Sequence, residues 1–459
     1  MTEWRPQIEA GDGYIHERIA AALQADVTRG LLAPGAKLPT HRRLAEVLGV
    51  GVGAVTKAYA AAEAQGLVVA HVGRGSFIAQ APTATAPTFD GPIDLAHNLP
   101  PAAPARTRLA EAFGRLRHRS DLSTYLDYPP TGGAEAHRRA ASAWLARTAN
   151  HEGLDWRRLI VTAGAQQAFA TALGAACRPG DSVIVEAVSF TGVKALAAHM
   201  DYRLVAAGMD AEGLTPEALD EAAVRSGARA AYVLPIQNPT ARIMGLERRK
   251  AIVDVARKRD LMLVEDDLYG AYASELGLPP LAVLAPERVF YVSGLSKSLA
   301  PGLRVGYCVA PTGGDWRERC LSALRAMAFG APGIGALTAT QWLEDGTAAD
   351  ILAAHRSEYE TRARLALEIL GSAAERPLNR TATHLWLPMG ELAAERVAAR
   401  ALRDGVEVTD PCLPVIPGGR EHGLRVCLGA TPSTTVLQDG LRRLARALGD
   451  TADRALGMV

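Results

Sequence analysis

SGLSKSLAPGLRVGY, residues 293–307, overlaps the end of the run RVFYVSG, residues 288–294. That run is short, rich in β-branched and aromatic residues, and ends in glycine, which predicts a buried strand feeding a loop. The loop carries Ser296, Lys297 and, seven residues further on, Arg304. Upstream, LIVTAG (159–164), SVIVEAV (182–188), AAYVLPI (230–236) and LMLVEDD (261–267) repeat the pattern, separated by long Ala-rich helical stretches. Alternation of this kind predicts an α/β fold with a mostly parallel sheet, and in such folds ligands bind in the loops at the carboxyl ends of the strands.

Those loops hold a chemically coherent set. Ala165 and Gln166 open a helix after Gly164, where free backbone N–H groups can receive a phosphate. Phe190 offers a flat ring, Asn238 lies in QNPT, Asp266 and Tyr269 lie in EDDLYG, and Ser296, Lys297 and Arg304 complete the group. Together they meet the needs of pyridoxal 5'-phosphate. A lysine amine is required to capture its aldehyde, and Lys297 is the candidate catalytic residue. A buried carboxylate must keep the pyridine nitrogen protonated, and Asp266 fits. Asn238 and Tyr269 can donate to the ring oxygen, Arg304 and the helix start at Ala165 can hold the phosphate, and Phe190 can cover one ring face.

The same residues carry a family resemblance. The segment from Ser293 to Tyr307 resembles the S-x-S-K-x-x-x-x-P-G-x-R-x-G-Y stretch of fold-type I aminotransferases, QNPT resembles their N-P-T-G, and EDDLYG their D-x-x-Y. YPPTGGAEAHRRA, from Tyr128, is similar to the stretch whose tyrosine reaches the phosphate of the neighbouring subunit. GLRVCLG, 423–429, is similar to the segment whose arginine grips the substrate carboxylate. The resemblance spans about residues 94–450; it implies a homodimer, places Tyr128 at the partner's cofactor, and makes Arg425 the carboxylate partner. Two positions depart from the pattern: Gly294 stands where many relatives have a phosphate-binding serine, and Ala241 replaces the last glycine of N-P-T-G.

AQAPTATAPTFDGP, 79–92, has three prolines and three threonines and no period, which predicts an exposed linker. Ahead of it, Ile15, Ile19, Leu23 and Val27 mark a helix from Tyr14 to Arg29, ended by Gly30. A second helix fits Thr40 to Leu48, stopped by Gly49. A third fits Val52 to Gln65, with Val52, Val55, Tyr59 and Ala62 as its buried stripe and Gly66 as its stop. LVVAHVGRGSFIA then reads as a hairpin around Gly73, Arg74 and Gly75, giving the order of a winged helix-turn-helix. Residues 29–74 hold Arg29, Lys37, Arg42, Arg43, Lys57 and Arg74 against Glu46 and Glu63, a local net charge of +4. Such a face suits phosphates, although charge alone fits an inert solvated surface equally well. GLLAPGAKLPTHRRLAEVLGV, 30–50, resembles the signature of the GntR family of bacterial regulators, and GRGSFI its wing. That resemblance implies DNA contacts from Arg42, from Thr56 and Lys57 on the third helix, and from Arg74 at the wing tip. Where the family opens its third helix with Ser-Arg, this chain has Gly51, Val52, Gly53 and Ala54, so base readout is thin.

The whole chain, 459 residues with 48% hydrophobic and 22% charged residues, excludes a disordered or collagen-like polymer. Its net charge of +1 gives no global attraction to nucleic acid, so any DNA surface is local. Cys177, Cys308, Cys320, Cys412 and Cys427 are too scattered for a disulfide framework or a zinc site, and no signal-peptide or membrane-length apolar run occurs, so a cytoplasmic location and no metal are expected. The expected organisation is a winged helix-turn-helix at 1–78, a linker at 79–93 and an aminotransferase-like domain at 94–459, an architecture that resembles the MocR subfamily of GntR regulators. That resemblance implies a transcriptional regulator that binds operator DNA and senses pyridoxal phosphate or an amino compound. An active aminotransferase with a DNA-binding appendage is the rival; a third reading, in which the large domain only dimerises, requires Lys297 to be vacant.

Overall fold

The computed structural model describes residues 4–8, 14–29, 31–33, 35–64, 67–71, 75–79 and 91–456. The expected helix stops at Gly30 and Gly66, the expected wing residues Gly73 and Arg74, and residues 80–90 of the expected linker lie outside the described residues. The chain divides into two compact units, one within residues 1–90 and one within 91–459.

In the small unit, α1 (Ile15–Thr28), α2 (His41–Leu48) and α3 (Val52–Ala64) precede an antiparallel hairpin of β1 (Val68–His71) and β2 (Gly75–Ile78). The α2 start is set by Thr40, whose hydroxyl accepts the Arg43 N–H at 3.3 Å. Its end is set by Gly49, which takes the left-handed conformation at φ 66°. Ile19, Leu23, Leu44, Val55, Tyr59 and Ala62 form the core. Val52 does not join the expected stripe and is 45% exposed. It is the first residue of α3, and because side chains on a helix lean toward its N-terminus, this one overhangs the helix end.

The large unit is built on a seven-stranded sheet. From edge to edge its strands are Leu159–Thr162, Gly306–Val309, Val289–Gly294, Met262–Asp266, Ala230–Val233, Ser182–Glu186 and Arg203–Ala207. Gly306–Val309 is antiparallel to both neighbours and the other six share one direction. The inner strands are buried along nearly their whole length, which explains why they read as continuous apolar runs rather than alternating ones. One shared direction puts the residues after Thr162, Glu186, Val233, Asp266 and Gly294 at the same edge of the sheet. A smaller C-terminal layer pairs His384–Pro388 with Gly423–Cys427, and Val406–Val408 with Ile93–Leu95, which brings Arg425 and the 96–101 segment to that edge.

Candidate functional site

Five loops at the carboxyl ends converge on a cavity of about 380 Å³. Ala165, Gln166, Phe190, Asn238, Asp266, Tyr269, Ser296, Lys297, Arg304 and Arg425 all line it. Tyr128 does not; it is 83% exposed and its ring packs against Phe329.

Each side chain is held by a local device. Asp266 ends its strand 5% exposed and accepts a short hydrogen bond from the Tyr232 hydroxyl on the adjacent strand. Burial pushes its carboxyl up to about 6, while the Tyr232 hydroxyl and the Lys297 amine pull it down. Asp267 is outside the cavity lining; its carboxylate accepts from the Tyr291 hydroxyl at 2.8 Å. Glu265 accepts the backbone N–H groups of Leu281 and Ala282 at 2.8 and 2.9 Å, so each carboxylate of the triplet has its own partners.

The Lys297 ammonium donates to the Asn98 carbonyl at 2.5 Å. Burial pushes its pKa down to about 8, with Arg425 adding to the shift and Cys427 and Asp266 opposing it. Asn238 is placed by Gln237, whose side chain donates to Val188 O at 2.7 Å and accepts from both the backbone and the hydroxyl of Thr240. Arg425 donates to Asn238 Oδ1 at 2.8 Å, to Ala96 O at 3.0 Å, and to Thr409 Oγ1 through both Nε and Nη2.

At the other end of the cavity the helix Ala165–Ala176 begins after Gly164, at φ 93°. A Cβ on Gly306 would come within 2.3 Å of Gly164 C and 2.6 Å of Ala165 N, so glycine at 306 is what lets this helix start close against the sheet. A Cβ on Gly164 would lie 2.7 Å from Arg304 Nη2, and Arg304 itself donates to Ala163 O at 3.1 Å. A guanidinium against the unpaired N–H groups of a helix start is a cradle for a phosphate. At the opposite side lie a buried carboxylate and a lysine with a lowered pKa, so the residues present fit pyridoxal 5'-phosphate.

The two departures have structural counterparts. Ala241 sits at φ 60°, a left-handed position that glycine enters freely and alanine enters at a cost of about 1 kcal/mol. A Cβ on Gly294 would lie 3.3 Å from Val305 O, so a serine would fit there only tightly.

Three residues of this region escaped sequence reasoning. Asn98 lines the cavity and donates to the Tyr269 hydroxyl at 3.0 Å. Tyr232 holds Asp266; the signal for it was a lone phenol inside a buried strand, which needs a polar partner. His384, close to Asn98 and against the Tyr269 ring, is pushed down to about 3 by burial, with Arg425 adding to the shift.

In the small unit, Arg42 and Lys57 are exposed. The Thr56 hydroxyl donates to Val52 O at 3.0 Å and lies 3.2 Å from His41 Nδ1, so part of its capacity is spent within the unit. A Cβ on Gly51 or Gly53 would meet nothing within 4 Å, so the lost Ser-Arg pair reflects no steric demand.

A small helical unit with a wing, followed by a sheet whose loops enclose a lysine, a buried aspartate and two arginines, defines a DNA-binding module joined to an aminotransferase-like domain. Residues 90–444 match the family of class I and II aminotransferases, and the chain belongs to that family. Residues 15–78 match the gntR family of bacterial regulatory proteins, which completes the MocR architecture. The chain is 27% identical to the uncharacterized HTH-type transcriptional regulator YdeF of Bacillus subtilis, over 97% of each chain. It is 30% identical to a 2-aminoadipate transaminase of Thermus thermophilus, covering 78% of this chain and 90% of the relative. The α-aminoadipate aminotransferase LysN of Thermus thermophilus, solved with N-(5'-phosphopyridoxyl)-L-leucine, aligns with a TM-score of 0.70 at 28% identity, over 80% of this chain and 94% of LysN. Among the described residues no single helix is long and apolar enough to cross a membrane.

Proposed function

We propose that this protein is a pyridoxal phosphate-dependent transcriptional regulator, with a DNA-binding domain at 1–78, a linker at 79–93 and a sensing domain at 94–459. The observation that carries the reading is the convergence of Lys297, Asp266, Asn238, Tyr269 and Arg425 on one cavity, in a chain that also carries a gntR-family unit. When bound, the cofactor supplies an aldehyde for reversible capture of amines and a ring that accepts electrons. Lys297 provides the capturing amine. Asp266 keeps a proton on the ring nitrogen, Asn238 and Tyr269 face the ring oxygen, and Phe190 covers a ring face. Ala165, Gln166, Ser296 and Arg304 surround the phosphate. Tyr128, remote from its own cavity, serves the partner's in a homodimer. Arg425 grips the carboxylate of an amino compound, because a guanidinium fork matches a carboxylate in a bidentate manner.

In the small unit Arg42, Thr56, Lys57 and Arg74 contact operator DNA, chiefly its phosphates, in the cytoplasm. The likeness to a 2-aminoadipate transaminase and the complete residue set favour aminotransferase turnover as the second reading. The test has two arms on one preparation: selection of bound sequences from random duplex DNA, and transamination of a panel of amino donors with 2-oxo acids. Enriched DNA without multiple turnover supports the regulator. Turnover with no enriched sequence supports the enzyme.

A further inference from the structure

The segment just after the linker is tied down in an unusual way. Beyond the short strand Ile93–Leu95 it has no regular structure, yet four of its carbonyls face side chains from distant parts of the large unit. Ala96 O accepts from Arg425 Nη2 and from the Thr409 hydroxyl, both at 3.0 Å, and from the Cys427 thiol at 3.2 Å. Asn98 O accepts from Lys297. Leu99 O accepts from the Tyr359 hydroxyl at 3.1 Å, and Pro101 O lies 2.9 Å from His355 Nε2. Two of these donors, Lys297 and Arg425, are also the cations that line the cavity.

We propose that residues 96–101 read the occupancy of the cavity and couple it to the chain that enters from the small unit. The proposal rests on the reading of the cavity as a pyridoxal phosphate and amino-acid site. Donor arithmetic sets Arg425's grip on a carboxylate in competition with its hold on Ala96 O. A guanidinium has five N–H groups, and four hydrogen bonds already leave it, one from Nε, one from Nη1 and two from Nη2. A carboxylate gripped end-on takes one N–H from each terminal nitrogen. Nη1 has one to give; Nη2 has none, and must release or share either Ala96 O or Thr409. Thr409 keeps its Nε bond in either case, so Ala96 O is the partner that can be left without a cation. Lys297 behaves in parallel, because an amine drawn to the cofactor aldehyde cannot remain an ammonium against Asn98 O. Occupancy of the cavity therefore draws cations away from Ala96 O and Asn98 O, two carbonyls of a stretch that has no ladder of its own.

The test is hydrogen exchange on the full-length protein, free and with two probes, pyridoxal 5'-phosphate and N-(5'-phosphopyridoxyl)-L-alanine. The first engages Lys297 and the second presents a carboxylate to Arg425. Amides in peptides covering 93–101 exchange faster with either probe by about 2- to 10-fold, the range that net loss of one hydrogen bond gives a local opening equilibrium. Peptides covering 262–266 exchange more slowly because the cavity is filled. Tyr359→Phe, which frees the Leu99 carbonyl without touching the cavity lining, speeds exchange of 93–101 in the free protein and shrinks the effect of the probes. Protection at 262–266 with no change at 93–101 overturns the coupling and leaves the cofactor reading standing. No change in either region overturns both.

Discussion

The lowered pKa of Lys297 has a measurable kinetic consequence. Only the neutral amine attacks an aldehyde. With a pKa of about 8, roughly one Lys297 in ten is neutral at pH 7, whereas a lysine near 10.4 is neutral in about one molecule in 2,500. The cavity thus raises the reactive fraction at neutral pH by about 200-fold. The shift comes first from burial, so it belongs to the folded free protein and is present before any cofactor arrives. Sign matters here. Deprotonation of an amine with a lowered pKa is complete well below pH 10, so the rate of capture should rise about tenfold between pH 7 and pH 9 and then level off. The assay is stopped-flow absorbance after mixing cofactor-free protein with pyridoxal phosphate across this pH range, with borohydride reduction and peptide mapping to locate the label. Lys297→Ala should abolish the labelling. A rate that keeps climbing to pH 10.5 without a plateau would refute the assignment of a lowered pKa, and label on another lysine would refute the anchor itself.

Asp266→Asn should weaken cofactor retention by about 10- to 100-fold, the worth of a charge-assisted hydrogen bond, while Asp267→Asn should cost stability and leave retention within about threefold; equilibrium dialysis separates the two, and the reverse ranking would place the register one residue off. Tyr128→Ala should lower cofactor affinity although Tyr128 lies outside its own cavity; mixing it with Lys297→Ala subunits should restore one good site per heterodimer, and unchanged affinity in the pure variant would detach Tyr128 from the cofactor. Arg42→Ala should weaken DNA binding and make the log-log salt dependence shallower by about 1 unit, as for one lost phosphate contact, measured by fluorescence anisotropy. An unchanged slope with lost discrimination between sequences would mean that Arg42 reads a base instead.

How much was legible in the sequence depended on whether a residue's role is local. The strands, the loop residues after them and the three small helices are encoded by short runs and by capping residues such as Thr40 and Gly49, and the structure has them where the pattern puts them. Val52 misled because periodicity does not tell where a helix begins, and the first residue of a helix has nothing beneath it. Asn98 was invisible for another reason. HNLP carries no motif, and its importance comes from contacts with Tyr269, His384 and Lys297, residues some 170 to 290 positions away. The same holds for Tyr232 and Asp266, which meet only because their strands are neighbours in the sheet, a pairing that strand-by-strand reading does not supply.

In the proposed regulator, ligand chemistry in the large unit alters DNA binding by the small one. A ligand shifts such an equilibrium only by the difference in its affinity for the two states, and couplings of this kind are typically about 5- to 150-fold. The direct measurement is a DNA-binding titration of the cofactor-loaded protein on a selected duplex, repeated with each member of a panel of amino compounds and with Arg425→Ala. At least one compound should change the DNA dissociation constant by about fivefold or more in the wild type, and Arg425→Ala should keep the cofactor and the basal DNA affinity but lose this response. Rapid transamination of panel members, none of which changes DNA affinity in the wild type, would contradict it and leave an aminotransferase with a DNA-binding appendage.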